Sequence, residues 1–167
     1  NLAGGALAGV RVSELAEGIA GPFAARRRGD FGADVVKVER AEGDPVRRDG
    51  PVAPGDAGHS ALFEYLNWNK QGVALELSEP AQREALHALL EGADILVHGF
   101  GPGTLEASWG LDPKALHQRH PHLALVAISD FGWDGPYAHW HGSDLVMQAM
   151  GGRQAWEPFD MYEAGAI

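Results

Sequence analysis

Five short runs rich in Val, Leu and Ala, separated by helical and glycine-bearing segments, constrain the fold of this chain more than any other feature. The clearest is DVVKVER at residues 34–40, whose three valines are typical of a strand buried on both faces of a parallel sheet. The other runs lie at residues 11–16, 73–77, 94–99 and 123–129. Because strands alternate with helical patterns, we predict an α/β fold with an open, mostly parallel sheet and helices on both faces.

Proline, glycine and serine mark where helices begin and end. Pro22 suits the first turn of a helix, because its missing N–H is not needed there, and Gly32 ends that helix. Ser78 is predicted to cap a second helix, which Gly92 ends. Residues 41–60 are rich in Gly, Pro and charge and are predicted to form a loop.

Composition excludes several classes of function. The 167 residues, 45% of them hydrophobic, suffice for one domain. A formal net charge of -10 argues against a nucleic-acid surface, which needs clustered Lys and Arg. No apolar run approaches the roughly 20 residues that span a bilayer, so no membrane partner is expected. The absence of cysteine excludes disulfides and thiolate chemistry and fits a cytoplasmic location.

The carboxyl ends of the predicted strands are where an open α/β sheet binds its ligands. These ends are residues 17–22, 40–48, 99–103 and 130–136. The first, EGIAGP, lacks the GxGxxG pattern of dinucleotide-binding proteins, so nicotinamide binding gains little support. A glycine turn before a helix can hold a phosphate, or it can be a tight turn and nothing more.

Six segments carry a resemblance to a known family through their order and spacing. They are LAGVRVSELAEGIAGPFAA, FGADVVKVERAEGDPVRR, LFEYLNWNKQGVALELS, GADILVHGFGPGTLE, LVAISDFGWDGPY and GSDLVMQAMGG. Together they resemble the family III CoA-transferases, which include carnitine and formyl-CoA transferases and the related α-methylacyl-CoA racemases. The resemblance implies a Rossmann-like large domain that binds coenzyme A as a co-substrate, a smaller domain later in the chain, and an interlocked homodimer. Because such proteins have roughly 400 residues, residues 1–167 are expected to form only the N-terminal part of the large domain.

The resemblance assigns CoA contacts to positions at the strand ends and before the third strand. These are Ile19, Ala20, Arg40, Leu66, Asn67, Lys70, Gly99, Phe100, Phe131 and Gly132. Arg40 suits a phosphate or a stacked adenine, although it could instead pair with Glu39 or Glu42. Lys70 suits a phosphate as a point charge, or is an exposed lysine in a turn.

Two positions depart from the pattern of the resembled family. Gly99 stands where the family has Asn, so a side-chain contact to the ligand is lost. Asp130 stands where the family has Gly, and its extra carboxylate is expected to repel an anionic ligand.

Asp144 stands just before the apolar run LVMQAM. In the racemase branch of the family a His precedes this Asp and acts as one of two bases. Here that position is Ser143, whose hydroxyl cannot act as a base near neutral pH without help. Asp144 is therefore predicted to be the N-cap of a helix.

The resemblance implies a nucleophilic Asp further along the chain, and Asp160 in PFDMYEAG is the candidate, with Glu163 as second choice. The carboxylate would attack an acyl-CoA thioester, hold CoA as an aspartyl thioester, and pass it to an acceptor acid. If Tyr162 is aligned strictly with the family, Met161 takes the nucleophile's position.

The predicted function is therefore CoA transfer between carboxylic acids. The alternatives are an α-methylacyl-CoA racemase and a non-catalytic CoA-binding or assembly subunit. No metal is expected, because the histidines lack a dependable ligand spacing. They are His117, His120, His122, His139 and His141.

Overall fold

The computed structural model describes residues 4–52 and 60–153. The strands are β1 (Arg11–Leu15), β2 (Asp34–Glu39), β3 (Gln71–Ala74), β4 (Ile95–His98) and β5 (Ala124–Ala127). The helices are α1 (Ala20–Asp30), α2 (Ala61–Asn67), α3 (Pro80–Glu91), α4 (Thr104–Trp109), α5 (Pro113–Arg119) and α6 (Asp144–Met150). A turn of 3₁₀ helix at Pro45–Arg48 follows β2. Every strand except β3 lies inside its predicted range.

The strand pairs of the described sheet are all parallel, in the order β3-β2-β1-β4-β5. Val12 of β1 lies between Val35 of β2 and Ile95 of β4, which sets the register at the centre of the sheet. The chain order reverses between β1 and β4, so the loops that follow these strands diverge and leave a crevice. The predicted α/β fold with a parallel sheet is confirmed.

Apolar side chains pack against both faces of the sheet. Leu15 and Leu96 contribute to one layer, in which Leu90 of α3 is fully buried together with side chains of α4 and α5. Val12 packs on the opposite face with Ala25 of α1. This pattern is that of strands covered by helices on both sides. None of the helices in the described ranges has the length and apolar character needed to cross a bilayer.

The third strand differs from the prediction. It spans Gln71–Ala74 rather than residues 73–77, because Val36 of β2 pairs with Gln71 and thereby sets the register. All the residues of β3 are exposed, whereas Leu77, beyond the strand, is buried in the core. The alternation of apolar and other residues in VALEL, residues 73–77, therefore arises where the chain leaves the strand and enters the core at Leu77. It does not mark the strand itself.

Helix starts also differ from the prediction. Helix α2 is not expected from the sequence pattern, and it begins where the Ser60 hydroxyl accepts a hydrogen bond from the Phe63 N–H at 3.1 Å. The 3₁₀ turn inside the expected loop begins where Asp44 accepts one from the Val46 N–H at 3.0 Å. The N-cap of α3 is Glu79, one residue after the expected Ser78.

Four charged side chains are buried beneath the loops that follow β1 and β2. Lys37 is 2% exposed, and its Nζ lies 3.1 Å from Glu14 Oε1 and 2.9 Å from Asp44 Oδ2. It also donates a hydrogen bond of 2.6 Å to the carbonyl oxygen of Ala16. The other oxygen of Glu14 lies 2.6 Å from Lys70 Nζ. Each charge thus has an opposite partner, which is the condition for keeping ionised groups inside a protein.

Replacing Lys37 with Met should lower the free energy of unfolding by about 3–5 kcal/mol, because two buried carboxylates would lose their shared cation. Urea denaturation followed by circular dichroism measures this loss. The control is Arg119→Met, which breaks the exposed pair with Glu84 and should leave the midpoint almost unchanged. An equal midpoint shift for the two variants would contradict a stabilising role for the buried network.

Two histidines join α3 to the end of α5. His87 Nδ1 lies 3.0 Å from His120 Nε2, and the rings stack with centroids 5.3 Å apart. Burial lowers the pKa of both rings, and the charge of Arg119 lowers it further, while Glu91 acts in the opposite direction. Because one ring nitrogen must donate and the other accept, the hydrogen bond is lost once both rings are protonated, since no acceptor nitrogen then remains.

Acid should weaken this junction. The pKa of each ring is lower in the folded state than the roughly 6.5 of an unfolded chain, so the unfolded chain takes up protons first as the pH falls. The contribution of the pair is therefore complete above about pH 6.5 and is lost below it. The urea midpoint should drop between about pH 7.5 and 5.5, and His120→Gln should reduce that drop. Equal drops in the two proteins would contradict the assignment.

Candidate functional site

A cleft of about 860 Å³ opens at the carboxyl ends of β1, β4 and β5. Ile19 and the first residue of α1, Ala20, line it beyond β1, and Gly99 and Phe100 line it from the loop after β4. Residues 138–142, called here the far wall, line the opposite side. The cleft lies where the chain order of the sheet reverses, which is the position at which open α/β sheets bind ligands. The structure thus brings together four of the positions that the sequence assigns to CoA.

The floor of the cleft is main chain held close to Ala16. A Cβ atom on Gly21 would overlap the Ala16 Cβ, so α1 can begin where it does only with glycine at this position. A Cβ on Gly99 would lie 3.2 Å from the same atom, which is a tight contact. Glycine at position 99 therefore fits the close approach of the two loops.

The far wall is tied to the end of β5 by one side chain. Asp130 Oδ2 accepts a hydrogen bond of 2.7 Å from the N–H of Gly142. A Cβ on Gly142 would overlap the end of Met147 and would lie 2.9 Å from the Asp130 Cβ, so the bond needs a glycine there. The sequence predicts that the Asp130 carboxylate repels an anionic ligand. In the structure this carboxylate accepts a hydrogen bond from the main chain.

The described lining of the cleft contains no Lys or Arg. Its ionisable side chains are the carboxylates of Glu17 and Asp130 and the imidazoles of His139 and His141. Such a lining suits an uncharged, hydrogen-bonding part of a ligand. Phosphate groups would need cations from outside the cleft.

A buried imidazole supports the loop after β4. His98, the last residue of that strand, is 2% exposed, and its ring meets the edge of Trp133 with centroids 5.4 Å apart. Burial lowers the pKa of His98, although the backbone of Phe100 and the carboxylate of Glu106 act to raise it. The ring is therefore neutral at neutral pH.

A second groove, of about 350 Å³, lies at the carboxyl end of β2 and is lined by Arg40 and Arg47. Arg47 donates hydrogen bonds of 2.8 and 2.7 Å to the two carboxylate oxygens of Glu39. Burial alone would raise the pKa of Glu39, but these bonds and one from the Asp44 N–H lower it below its usual value. Arg47 and Glu39 are therefore a fixed ion pair at the wall of the groove.

Arg40 pairs with neither of the carboxylates that its sequence neighbours suggest. Its Nε lies 3.5 Å from Glu17 Oε1, and its guanidinium carbon lies 4.6 Å from the centroid of the Trp109 ring. Glu17 lines the cleft and Arg40 lines the groove, so this pair stands between the two cavities.

The three predicted contacts before β3 have structural partners. Leu66 is 1% exposed. The ammonium of Lys70 meets Glu14 Oε2 at 2.6 Å, the Pro22 carbonyl at 2.9 Å and Asn67 Oδ1 at 2.8 Å. The ammonium thus donates two hydrogen bonds and forms a buried ion pair with the third group, so Lys70 already has structural partners in this geometry. Burial lowers the pKa of Lys70, and Glu14 opposes that effect.

The two predicted contacts after β5 lie beside the cleft rather than in its lining. The Phe131 ring packs against those of Tyr137 and Trp140, with centroids 6.3 Å away in both cases. Gly132 has a φ of 84°, which allows the turn that follows. These residues shape the segment that leads to the far wall.

The prediction for the N-cap of α6 is wrong by one residue. Ser143 has extended backbone angles, and its hydroxyl accepts the Val146 N–H at 3.3 Å. Asp144 is instead the first helical residue, where a negative charge is favourable, and it accepts a bond of 2.6 Å from Gln148 Nε2. The candidate nucleophile Asp160 and its neighbours Met161 and Glu163 lie outside the described residues.

Sequence reasoning missed Glu17, Trp109 and the far wall as parts of the site. Glu17 could have been found, since it directly follows a strand end that the sequence locates. Trp109 could not, because it reaches Arg40 only through the packing of α4. In the described part of the chain, no three His, Asp or Glu side chains are arranged to hold a metal ion.

The fold and the cleft define a doubly wound α/β domain with its ligand site at the switch in strand order. The family model described as CoA-transferase family III matches residues 7–157, and the chain belongs to that family. The succinate–glutarate CoA-transferase of Agrobacterium fabrum is 37% identical over 151 residues, covering 87% of this chain and 38% of that protein. The mouse succinyl-CoA:glutarate CoA-transferase is 35% identical over 147 residues, covering 87% and 33%.

Solved structures of relatives have the same fold. A CaiB/BaiF family protein from Brucella suis superposes with a TM-score of 0.81 at 36% identity, covering 89% of this chain and 39% of that one. The chain spans about a third to two fifths of the length of the relatives it matches.

Removing the Asp130 carboxylate should loosen the far wall. We expect Asp130→Ala to speed amide hydrogen exchange at residues 138–143, measured by mass spectrometry, because the Gly142 N–H loses its acceptor. Asp130→Asn keeps a side-chain oxygen and should retain most of the protection. Unchanged exchange together with tighter CoA binding in Asp130→Ala would instead favour the repulsion expected from the sequence.

Proposed function

We propose that the protein to which this chain belongs transfers coenzyme A between carboxylic acids. On this proposal the chain is the N-terminal part of its CoA-binding large domain. The observation that carries it is the cleft at the switch point, where four positions assigned to CoA from the sequence line one cavity. Membership of CoA-transferase family III, and relatives named succinate–glutarate and succinyl-CoA:glutarate CoA-transferase, support the same reaction. A cytoplasmic, interlocked homodimer without nucleic-acid or membrane partners is part of the proposal.

The charges of the two cavities suggest how CoA would lie. The pantetheine arm is uncharged and hydrogen-bonding, which suits the cleft lined by Ile19, Ala20 and Gly99. The phosphates would lie toward the groove at the end of β2, where Arg40 offers a planar guanidinium that can bind phosphate oxygens. The thioester would then be at the inner end of the cleft.

The transfer needs a carboxylate nucleophile, and we propose Asp160 for that role, with Glu163 as the alternative. The carboxylate attacks the thioester carbonyl, releasing CoA thiolate and leaving a mixed anhydride. The thiolate attacks the aspartyl carbonyl, which frees the donor acid and forms an aspartyl-CoA thioester. The acceptor carboxylate then repeats the two steps in reverse order, so that the acceptor leaves as its CoA thioester and the Asp is regenerated. Main-chain N–H groups would stabilise the oxyanions of the tetrahedral intermediates.

One observation bears on the racemase alternative. The Ser143 hydroxyl, which stands where the racemase branch has its histidine, accepts the Val146 N–H and caps α6. A hydroxyl oxygen used in this way is a structural group, and it has no basic partner among the bonds described for it. Proton exchange at the α-carbon therefore lacks one of its two bases.

The test is whether CoA becomes covalently attached to the full-length protein. After incubation with succinyl-CoA, peptide mass spectrometry should find CoA attached to Asp160. Asp160→Asn should abolish the adduct and lower CoA transfer to glutarate by about a thousandfold or more, as expected when a nucleophile is lost. The matched control, Glu163→Gln, should keep both.

Other results would point elsewhere. An adduct on Glu163 would move the nucleophile to that residue. Deuterium uptake at the α-carbon of a 2-methylacyl-CoA, without any adduct, would support the racemase. Binding of CoA without adduct or exchange would support a non-catalytic subunit, and no binding at all would refute the proposal.

A further inference from the structure

The boundary between the cleft and the groove is a single ion pair. Glu17 lines the cleft and Arg40 lines the groove. Glu17 Oε1 lies 3.5 Å from Arg40 Nε. Their side chains are 32% and 40% exposed, so a ligand can reach both. A ligand with its phosphates in the groove and its uncharged arm in the cleft must pass this pair.

Of the two arginines in the groove, Arg40 is held less firmly by its carboxylate partner. Arg47 holds Glu39 through two hydrogen bonds of 2.8 and 2.7 Å. The contact of Arg40 with Glu17 is an ion pair without a hydrogen bond, and the buried Nε of Arg40 has no hydrogen-bond partner among the described residues. A phosphate oxygen would give this N–H the acceptor that Glu17 does not provide.

The guanidinium of Arg40 also has an aromatic contact, which does not depend on Glu17. It lies over the ring of Trp109, which is 3% exposed and packs against Phe100 with centroids 5.6 Å apart. Phe100 in turn lines the cleft. Stacking on a buried indole keeps the planar guanidinium in place when its ionic partner changes.

We propose that Glu17 is a resident counter-ion, which occupies Arg40 until a phosphate of the CoA ligand replaces it. The inference rests on the proposed CoA function and adds to it a residue that sets affinity. The exchange breaks and forms no covalent bond, and it moves no proton. Glu17 therefore weakens the binding of phosphate-bearing ligands and leaves the binding of their uncharged arm unaffected.

The test is isothermal titration of the full-length protein with coenzyme A and with pantetheine, which lacks the phosphates. Glu17→Gln keeps the size of the side chain and removes its charge. It should tighten CoA binding by about two- to fivefold, the range expected for a partly exposed ion pair. Pantetheine affinity should not change. In an Arg40→Ala background, the same substitution should have no effect on CoA.

The matched control is Glu42→Gln, which removes a carboxylate from the lining of the groove. Equal tightening by Glu42→Gln would show an effect of net charge and overturn the inference. It would also be overturned if Glu17→Gln bound CoA no more tightly than the unaltered protein, or tightened pantetheine equally. In each of these three cases CoA still binds, so the proposed function stands. If neither protein bound CoA, the proposed function and this inference would fail together.

Discussion

The ion pair between Lys37 and Glu14 is the interaction on which the loops around the site depend. A buried ammonium needs anionic partners, and Lys37 takes Glu14 from β1 and Asp44 from the loop after β2. Asp44 in turn accepts the N–H of Gly18 at 3.3 Å and that of Val46 at 3.0 Å. One buried charge thus holds the end of β1 against the loop that follows β2.

That arrangement determines where the groups around the ligand site lie. Glu17 comes directly before Gly18, and Arg40 comes directly after β2, so both lie on segments fixed by the buried charges. Lys70 belongs to the same network through Glu14, which ties the start of β3 to the centre of the sheet. The groove that contains Arg40 and the cleft without Lys or Arg are therefore adjacent because of a set of buried ionic contacts beneath them.

Much of the sheet could be predicted from sequence, because buried strands such as Asp34–Glu39 carry their own hydrophobic signal. The edge strand β3 could not, since its residues are exposed and its register comes from hydrogen bonds to β2. In the site, Ile19 and Gly99 were predictable from position alone, because strand ends meet at the switch point. The role of Lys70 was not, because it depends on a carboxylate from a strand distant in sequence, which only the fold brings near.

The main-chain floor of the cleft has a consequence for how this protein can change over evolutionary time. Gly21 and Gly99 approach Ala16 too closely to be exchanged freely. Sequence change in the lining is therefore more easily accepted at His139, Trp140 and His141, which line the cleft from a loop rather than from the sheet. Relatives that have diverged in sequence should therefore share the shape of this floor and differ more in the side chains that face it.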